Sequence, residues 1–187
     1  MSDLLTRDEL ERYKTALYGL PDGSPEIGKI WELLRAHKKA LSRDSFLPFV
    51  KNVWTSFIGG SHHKVMADAF ERVANGELKR LIINMPPRHT KSEFASYLFP
   101  AWYLGKFPER KIIQTAHTAE LAVGFGRKVR NLVGSADYQH IFNVKLSADS
   151  KAAGRWNTDK GGDYFAIGVG GAVTGKGADV LIIDDPH

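Results

Sequence analysis

Two short stretches of the sequence contain residue types that bind a nucleoside triphosphate. The first, "MPPRHTKS" at 85–92, follows an apolar run and ends in Lys91 and Ser92. Its outline is that of a phosphate-binding loop, G-x-x-x-x-G-K-[ST], in which the lysine contacts the β- and γ-phosphates and the hydroxyl binds Mg²⁺. The stretch contains no glycine, and Thr90 occupies the second glycine position. Lys91 and Ser92 are therefore candidate ligands of ATP and Mg²⁺ in a loop of unusual composition.

The rest of this loop adds groups that suit an anion. Phosphate binding at a strand-to-helix turn needs backbone N–H groups and the positive end of a helix dipole, and neither requires glycine. Glycine matters only where φ is positive or the backbone passes close to the ligand. The predicted ATP site therefore comprises Pro87, Arg88, His89, Thr90, Lys91 and Ser92. The alternative is a Pro-Pro turn that caps a helix at Thr90.

The second stretch, "VLIIDDPH" at 180–187, places two carboxylates after four apolar residues. This is the form of a Walker B strand, whose first Asp holds Mg²⁺ and whose second acidic residue orients the attacking water. Asp184 is thus the candidate metal ligand and Asp185 the candidate catalytic residue. The alternative is an acidic turn after a buried strand. The long segment between the two motifs suits P-loop motors in which another strand lies between the two motif strands.

The elements around these residues predict an α/β fold. Four apolar runs are typical of strands, "LKRLIIN", "RKIIQTAH", "YFAIGVGG" and "ADVLIIDD". Helices are predicted after a capping box at Thr6 and Glu9, from about residue 24, over about 63–74, from about Thr90 with an interruption near Pro100, and in "TAELAVGFGRKVRNLV". Strands that alternate with helices indicate an open, mostly parallel sheet flanked by helices.

Composition excludes several kinds of protein. The 187 residues are 43% hydrophobic and 25% charged, which is enough for one sizeable core. The absence of cysteine rules out disulfides, thiolate metal sites and cysteine nucleophiles. The net charge of +5 suits DNA or phosphate ligands without demanding them. No apolar run reaches the roughly 18 residues that span a bilayer, and the N-terminus is too charged for a signal peptide, so we expect a cytoplasmic protein with no membrane partner.

Four segments resemble the large terminase subunits of tailed bacteriophages and prophages, which package DNA into capsids. They are "HHKVMADAFERV", "RLIINMPPRHTKSE", "PAWYLGKFPERKIIQTAHTAELA" and "GVGGAVTGKGADVLIIDDPH". The resemblance covers roughly residues 60–187. It implies a P-loop NTPase domain at 61–187 behind a helical segment at 1–60, with ATP and Mg²⁺ as cofactors. It also implies double-stranded DNA, a portal protein and a small terminase subunit as partners of a homo-oligomeric ring.

The resemblance also implies roles for single residues. Members of this family carry an Arg inside a deviant Walker A loop, and Arg88 would supply that charge near the γ-phosphate as a catalytic residue. The family commonly keeps Gly where this chain has Thr90, and many members end the strand in Asp-Glu where this chain has Asp184 and Asp185. His62 and His63 lie where the family places adenine-side contacts; either could equally be a surface residue that caps a helix.

Two further stretches have a structural alternative. "TAHTAELA" resembles the family segment that links nucleotide state to DNA movement, but Thr118 could simply be a helix N-cap. "GGAVTGKGAD" contains Gly-Lys-Gly, but Lys176 is followed by Gly177 rather than by a hydroxyl residue, so a turn that leads into the acidic strand is favoured.

The position of the last strand-like run gives a final expectation. The chain stops directly after "VLIIDDPH", so we expect a truncated domain with an incomplete sheet, no nuclease domain and little or no ATP hydrolysis on its own. Two alternatives stay open. One is a helicase-like nucleic-acid translocase, and the other is a non-catalytic remnant that binds nucleic acid or assembly partners.

Overall fold

The structure, a computed structural model, describes residues 4–149, 152–173 and 175–186. It has an α/β fold, as the alternation of predicted elements indicated. The helices are α1 (Arg7–Gly19), α2 (Pro25–Asp44), α3 (Phe46–Val53), α4 (Ser61–Ala74), a π-helical segment (Glu93–Leu98), α5 (Phe99–Lys106), α6 (Ala119–Val133) and α7 (Ala136–Ile141). The strands are β1 (Lys111–Ala116), β2 (Arg155–Asn157), β3 (Asp163–Gly168) and β4 (Val180–Asp184).

The four strands form one mixed sheet in the order β2-β3-β1-β4. β1 is parallel to both β3 and β4, whereas the short β2 is antiparallel to β3. The expectation of a mostly parallel sheet flanked by helices is confirmed. Helix α6 runs between β1 and β3 in the chain and packs on both strands.

Local sequence signals explain several helix ends. Thr6 and Glu9 form the predicted capping box at the start of α1. The Thr118 hydroxyl accepts a hydrogen bond from the Leu121 amide, at 3.1 Å, and caps α6. At the end of α4, Gly76 has a φ of 78°, a conformation that glycine adopts without steric cost. None of the helices in the described ranges has the length and apolar character needed to cross a membrane.

The predicted strand in "LKRLIIN" is wrong. Residues 81–84 form no strand, and β4 pairs with β1 rather than with this segment. Ile82 is 86% exposed, while Leu81 and Ile83 are half-buried against the core. The run is apolar because alternate side chains pack on the core, not because both of its faces are covered.

The predicted interruption near Pro100 is also misplaced. The helix that follows the loop changes at Glu93–Leu98, where the Phe99 amide donates to the Phe94 carbonyl five residues earlier. Pro100 lies two residues after this segment, inside the same continuous helical stretch, where it has no N–H to donate to the preceding turn. The irregularity is therefore a π-helical turn that precedes the proline.

One aromatic core joins the helices to each other. Phe46 of α3 makes edge-to-face contacts with Phe70 of α4, Phe94 of the π-helical segment and Phe99 of α5, at centroid distances of 5.5–6.0 Å. All four rings are buried. Helix α3 thus packs in the same core as the helices that follow residue 60, and the proposed boundary between 1–60 and 61–187 stays a prediction.

Candidate functional site

The two carboxylates lie at the carboxyl edge of the parallel strands. β1 and β4 run side by side, and Ala116 is in register with Asp184. Beyond the strands, the His117 amide donates to the Asp185 carbonyl at 3.2 Å, which extends the pairing by one more residue. This edge is where open α/β sheets bind their ligands. Backbone pairing alone therefore places the Asp184–Asp185 pair where the sequence motif required it.

The Asp184 carboxylate is buried, and each of its oxygens accepts a hydrogen bond from a serine hydroxyl. Only 5% of the residue is exposed. The Ser92 hydroxyl donates to Oδ1 at 3.1 Å, and the Ser96 hydroxyl donates to Oδ2 at 2.8 Å. The two serines are four residues apart in one helical stretch, so they share a face. A buried carboxylate needs such partners, and here they fix its orientation towards the helix that follows the loop.

Lys91 faces both carboxylates. Its ammonium donates a hydrogen bond to Asp185 Oδ1 and lies 3.7 Å from Asp184 Oδ1. The hydrogen bond with Asp185 raises the pKa of Lys91, so the ammonium is charged at neutral pH. The Asp185 side chain is 65% exposed, in contrast to the buried Asp184. Lys91 therefore holds an exposed carboxylate that an incoming anion could replace.

The loop itself adopts the conformation expected of glycine without containing any. Arg88 and Thr90 have φ angles of 64° and 63°. For an L-residue this left-handed conformation costs about 1–2 kcal/mol, and for a β-branched residue such as Thr it is a genuine outlier. In the described part of the chain, the amides of Arg88 and Thr90 donate to no protein acceptor. They are available to a bound anion, which is the function that glycine-rich loops serve.

A histidine supports this loop from helix α4. His63 is 5% exposed, and its Nε2 lies 2.7 Å from the Thr90 hydroxyl. Its Nδ1 accepts a hydrogen bond from the Gly60 amide at 2.8 Å. Burial, and secondarily the neighbouring His62, lower the pKa of His63. Both ring nitrogens are thus used inside the protein, and the helix-capping alternative for this residue holds, although the residue is buried rather than on the surface.

The structure brings together four of the predicted site residues, Lys91, Ser92, Asp184 and Asp185. Pro87, Arg88 and His89 lie exposed in the loop, where His89 Nδ1 is 2.9 Å from the Pro87 carbonyl oxygen. No hydrogen bond or ion pair within the described ranges joins Arg88 to the other four, so its catalytic role stays a prediction.

Ser96 and the contact between His63 and Thr90 were not predicted. The spacing of Ser92 and Ser96 is a signal that could have identified the first. The second joins residues 27 positions apart and has no sequence signature.

The donor set at this edge suits Mg²⁺ that arrives with a nucleotide. The described residues contain no group of three or more His, Cys, Asp or Glu side chains that could hold a metal ion alone. Mg²⁺ in phosphoryl-transfer sites is instead held by one or two protein oxygens together with phosphate oxygens and water. The Ser92 hydroxyl and the Asp184 carboxylate, 3.1 Å apart, offer two oxygens of this kind.

Comparisons of the chain with models of protein families, with curated proteins and with solved structures found no match.

Proposed function

We propose that this chain binds Mg·ATP at the loop 85–92, as the P-loop ATPase domain of a DNA-packaging motor of the large terminase type, and that the assembled motor hydrolyses the nucleotide at this site. One observation carries the proposal. Lys91 and Asp185 are 94 residues apart in the chain, yet their side chains are hydrogen-bonded at the carboxyl edge of the sheet. The sequence predicts each of them as one half of a nucleotide site, and two unrelated turns would have no reason to meet there.

The contacts of Lys91 give a mechanism for phosphate entry. In the free protein its ammonium is held by Asp185. The β- and γ-phosphates would compete for that ammonium, because a charge-assisted hydrogen bond to phosphate is as favourable as one to carboxylate. The exposed Asp185 carboxylate would then accept a hydrogen bond from a water molecule and orient it towards the γ-phosphorus. The water oxygen forms the new bond to phosphorus and gives up one proton to a phosphate oxygen, while the bond to the ADP oxygen breaks with its electron pair staying on ADP, which yields ADP and phosphate.

The buried side of the site would hold the metal. Ser92 and Asp184 would be its protein ligands, directly or through water. Mg²⁺, when bound, neutralises charge on the β- and γ-phosphate oxygens. Ser96 keeps the second carboxylate oxygen of Asp184 bonded, so that the first stays directed at Ser92. Arg88, exposed in the loop, would supply positive charge near the γ-phosphate.

Nucleotide binding tests the first part of this proposal. Lys91→Ala should abolish binding of a fluorescent ATP analogue in the presence of Mg²⁺. The matched control is Lys176→Ala, which removes the lysine of the Gly-Lys-Gly segment and should leave the affinity unchanged. Equal affinity in Lys91→Ala and the unmodified protein would reject the phosphate-loop assignment. A loss of affinity in Lys176→Ala alone would assign the nucleotide site to the Gly-Lys-Gly segment instead.

Duplex binding tests the motor part. A packaging motor must tolerate any sequence, so two unrelated duplexes should bind with equal affinity. Contacts to the phosphate backbone release counterions, so the logarithm of the binding constant should fall linearly with the logarithm of salt concentration. Fluorescence anisotropy with labelled duplexes measures both. Nucleotide binding that depends on Lys91, without duplex binding, would support the nucleotide site and contradict the assignment as a DNA motor.

A further inference from the structure

Thr90 is the most strained residue of the loop. It combines a β-branched side chain with a φ of 63°, at the position where phosphate loops have glycine. Strain of this kind persists only where the surroundings determine the conformation. The hydrogen bonds of the Thr90 hydroxyl show what these surroundings are.

The direction of each hydrogen bond around His63 follows from the chemistry of its partners. The Gly60 amide can only donate, so His63 Nδ1, 2.8 Å away, carries a lone pair. A neutral imidazole then has its proton on Nε2, which donates to the Thr90 hydroxyl at 2.7 Å. The Thr90 hydroxyl in turn donates to the His89 carbonyl at 2.6 Å. The result is a directed chain of hydrogen bonds from the start of α4 to the loop.

The His63 ring, which links these hydrogen bonds, is held in place by aromatic neighbours. Phe57 packs edge-on against His63 at a centroid distance of 4.7 Å, and Phe94 packs tilted against it at 4.9 Å. His62 lies 3.8 Å away, centroid to centroid. Phe94 itself is fully buried in the core. The imidazole has little freedom to turn, so the position of the Thr90 hydroxyl is set from the core.

We propose that His63 is a positioning residue for the phosphate loop, whose Nε2–H holds Thr90 in the left-handed conformation and so keeps the loop amides available to phosphate. His63 does not touch the nucleotide and acts only through Thr90. In this loop a side-chain hydrogen bond stabilises the positive φ that glycine, which has no side chain, adopts elsewhere without strain. The inference rests on the proposed function, because it assigns the bound phosphate to this loop.

A double-mutant cycle separates this role from a general structural one. His63→Ala should weaken binding of the fluorescent Mg·ATP analogue by about 5- to 30-fold, the effect of one or two kcal/mol. In a Thr90→Gly background the same His63→Ala change should cost less than about 3-fold, because glycine takes a positive φ without support. An equal loss in both backgrounds, or no loss in either, would overturn the proposal.

Variants of Thr90 keep the test decisive if His63→Ala does not fold. Thr90→Val preserves shape but cannot accept from His63, whereas Thr90→Ser keeps the hydroxyl. The Val variant should bind the analogue about 5- to 30-fold more weakly than the Ser variant. Equal affinity of the two would contradict a role for the hydroxyl.

The tautomer of His63 gives a readout that does not depend on nucleotide. The ¹⁵N chemical shifts of the His63 ring should show a neutral imidazole protonated at Nε2 near neutral pH. A proton on Nδ1, or a charged ring, would overturn the proposal even if nucleotide binds. Conversely, the expected tautomer together with binding that is unaffected by Lys91→Ala would reject the proposed function and leave the hydrogen-bond chain as a structural one.

Discussion

The two halves of the candidate site are built in different ways. The acidic half lies on β4, where backbone pairing with β1 and the register of Ala116 with Asp184 fix its place. The loop half follows a segment that belongs to no strand. It is positioned by side chains, Ser92 against Asp184 and His63 against Thr90. Strand pairing thus positions a residue through several backbone hydrogen bonds, whereas this loop depends on a few side-chain contacts.

The sharpest test of this comparison is a pair of isoleucines from the two halves. Ile182 of β4 is 9% exposed, while Ile82 before the loop is 86% exposed. Ile182→Ala should lower the free energy of unfolding by about 2–5 kcal/mol, since it opens a cavity in the core. Ile82→Ala should change it by no more than about 0.5 kcal/mol. Urea unfolding measures both, and comparable losses would mean that 81–84 is a core strand after all.

Ile82 and Ile182 also show where the sequence predicts the fold correctly and where it does not. Both lie in apolar runs that predict strands, and only the later run is one. An apolar run indicates that side chains are kept from water, but it does not indicate whether the backbone pairs with a neighbouring strand. β1, β3, β4 and the capped helices were predicted because their signals are local. The three-residue β2 and the short α3 and α7 were not, because they depend on packing against elements already in place.

The candidate site divides in the same way. Lys91 with Ser92, and Asp184 with Asp185, were predicted because each pair is fixed by its immediate neighbours in sequence. Ser96 reaches Asp184 across 88 positions, and its four-residue spacing from Ser92 indicates a shared helix face but not which residue that face contacts. The sequence shows that the loop lacks glycine, but it does not show how Thr90 can adopt a positive φ. Thr90 takes the glycine conformation because a buried histidine from another helix bonds to its hydroxyl.

The next prediction concerns chemistry on the acidic half. In an assembled motor that turns over ATP, Asp185→Asn should keep Mg·ATP binding but lower the rate of hydrolysis by about 10²-fold or more, because it removes the group that orients water. Asn tolerates the φ of 41° at this position as well as Asp does, so the backbone should not change. Phosphate release measures the rate, and a fluorescent analogue measures binding.

Asp184→Asn is the matched variant. It should weaken Mg·ATP binding itself, since it alters the carboxylate that Ser92 and Ser96 hold. Equal loss of binding in the two Asn variants would contradict the division of roles between the carboxylates.

A smaller effect is expected at the junction of the two halves. Ser96 is fully buried and donates to Asp184 Oδ2. Ser96→Ala should lower the free energy of unfolding by about 1.5–3 kcal/mol, the range for a hydrogen bond to a charged group. Ser61→Ala, at an exposed position at the start of α4, is the control and should have little effect. Urea midpoints that do not differ between the two variants would mean that the Ser96 bond does not hold the carboxylate.

The smallest expected effect is a pH dependence of stability that belongs to the loop half. Burial and His62 lower the pKa of His63 in the folded chain, while in the unfolded chain a histidine titrates near about 6.5. Between the pKa of His63 in the folded chain and that in the unfolded chain, the unfolded state binds more protons. Stability therefore rises with pH in this interval and is lost as pH falls below about 6.5.

A protonated His63 ring would also direct an Nδ1–H at the Gly60 amide, which cannot accept it. His62 contacts the His63 ring, and His89 contacts His62, so the comparison must be with His63→Gln, which changes His63 alone. The free energy of unfolding, measured in urea from pH 5 to pH 8, should fall more steeply with acid in the unmodified protein than in this variant. Parallel curves would show that His63 is not the titrating support of the loop, and the loop half would then need another source for the strained conformation of Thr90.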